Sequence, residues 1–76
     1  MPHFDLMFNP QEMTDTEIEA MAEDLCAVLR RHLNIDEAAV SMGLTHVSAA
    51  NWKAEVYDPI ILAALARLYK KPGYSL

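Results

Sequence analysis

The 76-residue chain has little of several residue types, and each scarcity excludes a class of protein. It contains one cysteine, Cys26, and two glycines. A single cysteine cannot build an intramolecular disulfide framework and fits a reducing cytoplasm. Two glycines leave no phosphate-cradling loop or GxSxG elbow, and three scattered histidines with one cysteine have no recognised metal spacing. We therefore expect no cofactor, no metal site and no enzyme.

Long apolar runs are also missing. The longest, residues 60–66, is too short to span a bilayer, and residues 1–3 lack the basic start of a signal peptide. These features predict a cytoplasmic protein without membrane contact. Hydrophobic residues nevertheless make up 53% of the chain, which indicates a folded domain. A domain of this size buries only about 60% of its unfolded surface, so dimerisation would stabilise it.

Basic residues are few, and charge is unevenly distributed. The chain has six Lys and Arg against eleven Asp and Glu, a formal net charge of −5. Residues 1–37 hold nine acids and two bases, a net charge of −7, whereas residues 38–76 hold two acids and four bases, a net charge of +2. Bulk charge therefore opposes nonspecific nucleic-acid binding, but the second half alone permits it.

The first 33 residues divide into an extended segment and a helix. Residues 1–13 carry two prolines and a weak period-two alternation, which predicts an N-terminal arm. Residues 14–76 are expected to form one helical domain. Its first helix is predicted over residues 15–33, where apolar residues recur at helical spacing. Thr14 with Glu17, or Thr16 with Glu19, offers a capping box.

Three further helices are predicted in the second half, over residues 35–42, 46–55 and 59–71. Asn34 is the expected cap of the first of these, and Gly43 ends it in the left-handed conformation. Thr45 caps the next helix, and Asp58 with Pro59 opens the last one. The predicted fold is all-α, a four-helix helix-turn-helix domain with an extended N-terminal arm.

The segment from Ile35 to Ala54 resembles the helix-turn-helix of small phage and plasmid regulators of the lambda repressor/Cro type. Ala39 takes the place of the small residue in the first helix, Gly43 and Leu44 form the turn, and Trp52 matches a late bulky residue. Ala49 departs from the pattern, because the family usually has a branched aliphatic residue there. With the helix that follows, the resemblance covers residues 35–71.

The resemblance implies DNA contacts from the third helix. Asn51 can form two hydrogen bonds with adenine in the major groove, and His46 can donate to a phosphate or a base edge. Because each base contact contributes only about 1–3 kcal/mol of discrimination, a homodimer is expected. The full set of DNA-binding candidates is Thr45, His46, Val47, Ser48, Ala50, Asn51 and Lys53.

Three functions remain open at this point. The first is a dimeric, sequence-specific DNA-binding transcriptional regulator of the repressor/Cro type that binds double-stranded DNA. The second is a helix-turn-helix-derived module that binds protein instead of DNA, such as a small phage inhibitor of a host regulator or defence complex. Its protein partner would meet the acidic first helix or the N-terminal arm. The third is a purely structural oligomerisation unit.

Overall fold

The structure is a computed structural model that describes residues 1–10 and 12–76, so residue 11 of the predicted arm lies outside the described residues. The main elements in chain order are β1 (His3–Phe8), α1 (Asp15–Leu33), β2 (Ser41–His46) and α2 (Ala49–Trp52). A π-helix, Lys53–Leu62, continues directly from α2. Short 3₁₀ turns occupy Glu37–Ala39 and Leu65–Arg67.

The two strands form a parallel pair. His3 lies opposite Ser41, and the register continues to Phe8 opposite His46. The Ser41 N–H donates to the Pro2 carbonyl at 3.2 Å and the Val47 N–H to the Phe8 carbonyl at 2.9 Å, so backbone hydrogen bonding continues past the ends of the strands. Parallel neighbours need a long crossover, which α1 and the first 3₁₀ turn supply. The first half is therefore a β-α-β unit.

The expected all-α, four-helix helix-turn-helix fold is wrong. The predicted second helix, residues 35–42, overlaps the first 3₁₀ turn and the start of β2. Gly43 is a strand residue, and neither glycine has a positive φ. The left-handed residue is Asn34, with φ 53°, and it ends α1 instead of capping a following helix. Without a turn at Gly43, no helix-turn-helix can form.

The prediction of α1 is confirmed to the residue, at Asp15–Leu33. Of the two possible capping boxes, the chain uses Thr14 with Glu17. The Glu17 N–H donates to Thr14 Oγ1 at 3.2 Å, and the Thr14 N–H donates to Glu17 Oε1 at 3.0 Å. The backbone and side-chain hydrogen bonds from Thr14 lower the pKa of the Glu17 carboxyl below its ordinary value.

The sheet has two chemically different faces, because successive strand residues point to opposite sides. Met42 lines a cleft with Ala22 and Cys26 of α1, so its side of the sheet faces the helix. The helix-facing positions are mostly apolar: Phe4, Leu6, Phe8, Met42, Leu44 and His46. The opposite positions, here called the open face, are His3, Asp5, Met7, Ser41, Gly43 and Thr45.

The predicted third and fourth helices are replaced by α2 and the π-helix. Pro59 lies inside the π-helix, whereas the sequence predicts that Asp58 and Pro59 begin a helix. Lys53 Nζ donates to Asp58 Oδ1 and Oδ2 at 3.1 and 2.9 Å. That five-residue spacing suits a π-helix, whose backbone hydrogen bonds also span five residues.

The most buried residues lie just after β2 and within the π-helix. Among the described residues, Val47, Val56 and Tyr57 are each only 4% exposed. The C-terminal residues pack beside them, since the Tyr57 and Tyr74 rings have centroids 5.9 Å apart. Trp52 Nε1 donates to the Tyr74 hydroxyl at 3.0 Å. None of the helices formed by residues 1–10 and 12–76 is long and apolar enough to span a membrane.

Candidate active site

Three polar side chains form a hydrogen-bonded chain at the start of the open face. His3 Nδ1 lies 2.7 Å from Ser41 Oγ, and His3 Nε2 lies 3.1 Å from Asp5 Oδ2. The parallel register creates this cluster, because it places His3 directly opposite Ser41 although 38 residues separate them. All three side chains are exposed, so they are accessible to a small molecule.

For a neutral His3 ring, the hydrogen-bond partners select one tautomer. An ionised Asp5 can only accept, so His3 Nε2 carries the hydrogen that lies between them. Nδ1 then has the free lone pair, and the Ser41 hydroxyl donates to it. This order of hydroxyl, imidazole and carboxylate is the arrangement in which a base activates a hydroxyl while a third group orients the base.

Gly43 makes room for this cluster. A Cβ on Gly43 would lie 2.6 Å from Asp5 Oδ1, closer than real Cβ contacts allow. Gly43 is the register partner of Asp5 on the open face. The glycine therefore lets the Asp5 carboxylate lean over β2. It is needed for close approach and not for the turn that the sequence suggested.

A cleft begins beside the cluster. Its volume is about 490 Å³, and it is lined by Asp5 and Met7 of β1, Thr45 of β2 and Ile60 of the π-helix. Small-molecule sites typically occupy about 300–1,000 Å³. One end carries the Asp5 carboxylate, whereas Met7 and Ile60 supply apolar walls. The cleft therefore suits a small molecule with both a polar and an apolar part.

Pro2 lies immediately before the cluster. It is half-buried, and its carbonyl oxygen accepts the Ser41 N–H. Met1, in contrast, is fully exposed. With Met1 attached, the Pro2 nitrogen is an amide without basicity. Without Met1, the same nitrogen would be a secondary amine, held by the first hydrogen bond between the strands.

Two other clefts lie beside α1. One of about 230 Å³ contains Cys26 and Glu23, and one of about 290 Å³ is lined by Arg30 and Arg31. Cys26 is a free thiol. Within residues 1–10 and 12–76, no group of three or more His, Cys, Asp or Glu side chains could hold a metal ion.

The seven residues predicted to bind DNA do not form one surface helix. Thr45 and His46 end β2, and only Thr45 lines the 490 Å³ cleft. Val47 is buried, so its side chain cannot reach a ligand in this conformation. The remaining four lie in or beside α2: Ser48 accepts the Asn51 N–H, Ala50 and Asn51 are exposed helix residues, and Lys53 pairs with Asp58. As a set of contact residues, the seven stay a prediction.

The sequence reasoning missed His3, Asp5, Ser41 and Pro2. The sequence does contain a pattern that predicts the pairing of β1 with β2. Over their first four residues, Ser41–His46 and His3–Phe8 both alternate polar or small residues with apolar ones, and one long amphipathic helix lies between the two segments. Two alternating segments separated by such a helix are typical of a β-α-β unit. That unit would have placed His3 and Ser41 at the same end of a sheet.

Full-length relatives share a single name. A "Tautomerase PptA" of Klebsiella pneumoniae strain 342 is 49% identical over 76 residues, which is all of both chains. Proteins of the same name from Pectobacterium carotovorum and Escherichia coli O139:H28 are 43% and 36% identical, over 99% and 100% of both chains. No family model matches the chain.

These relatives overturn several expectations. The resemblance to helix-turn-helix regulators is wrong, and so are the DNA-binding regulator and the protein-binding inhibitor, because the full-length relatives are named as tautomerases. DNA has no support as a partner, and the expectation that the chain is not an enzyme is also wrong. At this identity over its whole length, the chain belongs to the PptA tautomerase family.

Proposed function

We propose that this protein is a tautomerase that interconverts the enol and keto forms of a small carbonyl compound. We further propose that the Pro2 amine, exposed by removal of Met1, is its base and acid at carbon. The full-length relatives named tautomerase support the reaction class. The assignment to Pro2 rests on its position immediately before β1, where its carbonyl accepts the Ser41 N–H.

The chemistry of the reaction narrows the choice of group. A tautomerase takes a proton from one atom of its substrate and gives one to another, so its catalytic group must change charge readily near neutral pH. Histidine side chains and α-amino groups are the ordinary groups that do so. His32 lies at the end of α1 beside Arg31, and His46 contacts Phe8 on the helix-facing side of the sheet. Neither belongs to the open-face cluster. His3 does, but Ser41 and Asp5 already occupy its Nδ1 and Nε2, which leaves the Pro2 amine to act on carbon.

Pro2 meets the requirements better. A terminal proline carries a secondary amine whose ring restricts its orientation. The hydrogen bond from the Ser41 N–H to the Pro2 carbonyl holds the residue against β2. The cleft beside Asp5 then offers a place for a small substrate next to β1, the strand that Pro2 immediately precedes. The free thiol of Cys26 fits a reducing compartment, which supports a cytoplasmic location as part of this proposal.

The test combines intact mass with enzyme assay. The purified protein is expected to lack Met1 and to accelerate ketonisation of an aryl enol, followed by its ultraviolet absorbance. Cyanate at neutral pH converts α-amines to non-basic ureas, and we expect activity to fall in step with carbamylation of Pro2, located by peptide mass. Activity that survives complete carbamylation of Pro2 would exclude its amine. An absence of ketonisation by protein without Met1 would exclude the tautomerase.

A further inference from the structure

We propose that Ser41, His3 and Asp5 form the second proton-transfer unit of this site and act on the oxygen of the substrate. This inference rests on the proposed tautomerase, because it assigns the half of the reaction that the Pro2 amine does not perform. Enol–keto conversion changes protonation at two atoms, one carbon and one oxygen. A single amine can transfer the proton at the substrate carbon. For a concerted reaction, a second group must accept or donate the proton at the substrate oxygen.

Contact geometry supports the relay. Ser41 Oγ and His3 Nδ1 are 2.7 Å apart, which is a short hydrogen bond suited to proton transfer. Asp5 Oδ2 lies 3.1 Å from His3 Nε2 and orients the ring. The side chains of His3 and Asp5 are 60% and 74% exposed. An exposed pair of this kind contributes little to stability, so folding alone does not account for the arrangement.

The proton movements balance without any further reagent. In the ketonisation direction, the protonated Pro2 amine gives a proton to the enol carbon. The enol O–H passes its proton to Ser41 Oγ as the Ser41 proton moves to His3 Nδ1. The carbonyl double bond forms, Pro2 becomes neutral and the imidazole becomes positively charged beside Asp5. Exchange with water then returns one proton to Pro2 and removes one from His3.

Few charged groups face His3. On β1, Asp5 is its acidic neighbour, and the Pro2 amine precedes it. The open-face positions of β2 are Ser41, Gly43 and Thr45, none of them charged, and the π-helix adds Ile60 to the cleft. A change in the pH profile on removal of the imidazole would therefore report on this unit directly.

The experiment compares Ser41→Ala and His3→Gln with His32→Gln as the matched control. His32 is an exposed histidine in the last turn of α1, outside the hydrogen-bonded cluster. We expect Ser41→Ala and His3→Gln each to lower kcat by roughly a hundredfold, the lower end of the range for acid–base catalysis, with KM changed less than threefold. His3→Gln should also remove one ionisation from the pH profile of kcat.

Two further variants separate catalysis from structure. Ser41→Thr keeps the hydroxyl and should keep most of the activity. The double variant of Ser41→Ala and His3→Gln should be no slower than either single variant, because the effects of groups that act as a unit are non-additive.

Three results would overturn the inference. The first is a His3→Gln variant that behaves like His32→Gln, and the second is additive losses of kcat in the double variant. The third is a loss that appears in KM and thermal stability while the pH profile is unchanged. Wild-type protein without tautomerase activity overturns the proposed function itself, whereas an active wild type with an unaffected His3→Gln removes the relay alone.

Discussion

At the residue scale, the site depends on the absence of a side chain at Gly43. The sequence predicts a turn at Gly43, because glycine commonly ends helices in the left-handed conformation. In the structure the φ of Gly43 is not positive. The residue matters because the absence of a side chain leaves space for the Asp5 carboxylate. Composition cannot separate these two uses of glycine, because the close approach depends on a residue 38 positions away.

Gly43→Ala is expected to impair activity while leaving the fold intact. The new Cβ would displace the Asp5 carboxylate, which is the flexible end of a side chain, and His3 would lose its orienting partner. Small misplacements of catalytic groups reduce rates strongly, so kcat should fall roughly tenfold. Gly73→Ala is the control, because a Cβ at Gly73 meets nothing within 4 Å. Equal activity of the two variants would refute this role for Gly43.

Thr14→Ala is expected to destabilise the protein by about 1 kcal/mol, the usual cost of losing an N-cap, measured by thermal unfolding. Because Thr14 lowers the pKa of Glu17, the ionised carboxyl stabilises the folded state. That contribution is present above the ordinary pKa of 4.5 and is lost as pH falls through the lowered pKa of the folded state. Alanine keeps the backbone N–H that donates to Glu17 and loses only the hydroxyl, so the difference between wild type and variant should shrink only slightly below pH 4.5.

Thr16→Ala provides the control for the cap. Thr16 lies within the first turn of α1 and makes no capping hydrogen bond, and alanine has the higher helix propensity. We expect unchanged or slightly higher stability at every pH. Equal destabilisation by Thr14→Ala and Thr16→Ala would show that the assigned capping box is incorrect.

At the element scale, the sequence predicted α1 fully and the second half poorly. The helix has its own signals, namely a capping box, an apolar stripe and basic residues in its last turn. The strands were missed because each is only six residues long, and short alternating segments are ambiguous until paired. Asp58 and Pro59 are typical of a helix start, yet they lie inside a π-helix, whose wider turns no local residue pattern specifies.

The π-helix predicts a specific pairing between side chains five residues apart. A double-mutant cycle of Lys53→Ala and Asp58→Ala should show a favourable coupling free energy below about 1 kcal/mol, as for exposed ion pairs. The coupling should weaken with added salt. A parallel cycle of Lys53 with Glu55 should show none, because two residues apart on a helix do not face each other. Coupling of Lys53 to Glu55 alone would argue against this geometry.

At the scale of the whole molecule, the C-terminal residues tie the helical half together. Tyr74 accepts a hydrogen bond from Trp52 and packs near Tyr57, which belongs to the small buried core. These contacts join residues 22 positions apart, and neither residue stands in a pattern that predicts them. The candidate site likewise depends on the whole β-α-β unit. Residue patterns alone therefore predicted a different site, a DNA-binding helix.

Tyr74→Phe is expected to lower the unfolding free energy by about 0.5–1 kcal/mol, because it removes the acceptor of the Trp52 hydrogen bond and keeps the ring. Tryptophan fluorescence should change with the loss of this partner, since Trp52 is the only tryptophan. Tyr69→Phe is the matched control, because Tyr69 is fully exposed. A loss of stability in Tyr69→Phe equal to that in Tyr74→Phe would contradict the assigned contact.

The central claim is that the nitrogen of Pro2 performs proton transfer at the start of β1. The most direct measurement is the ketonisation rate of two proteins with the same residues 2–76, one beginning at Pro2 and one carrying an extra peptide before Met1. The extension keeps that nitrogen an amide, and a form with the same peptide at its C-terminus controls for added mass. We predict that the extended protein folds with unchanged thermal stability and loses at least about a hundredfold in kcat. Equal rates from the free and extended proteins would contradict the account.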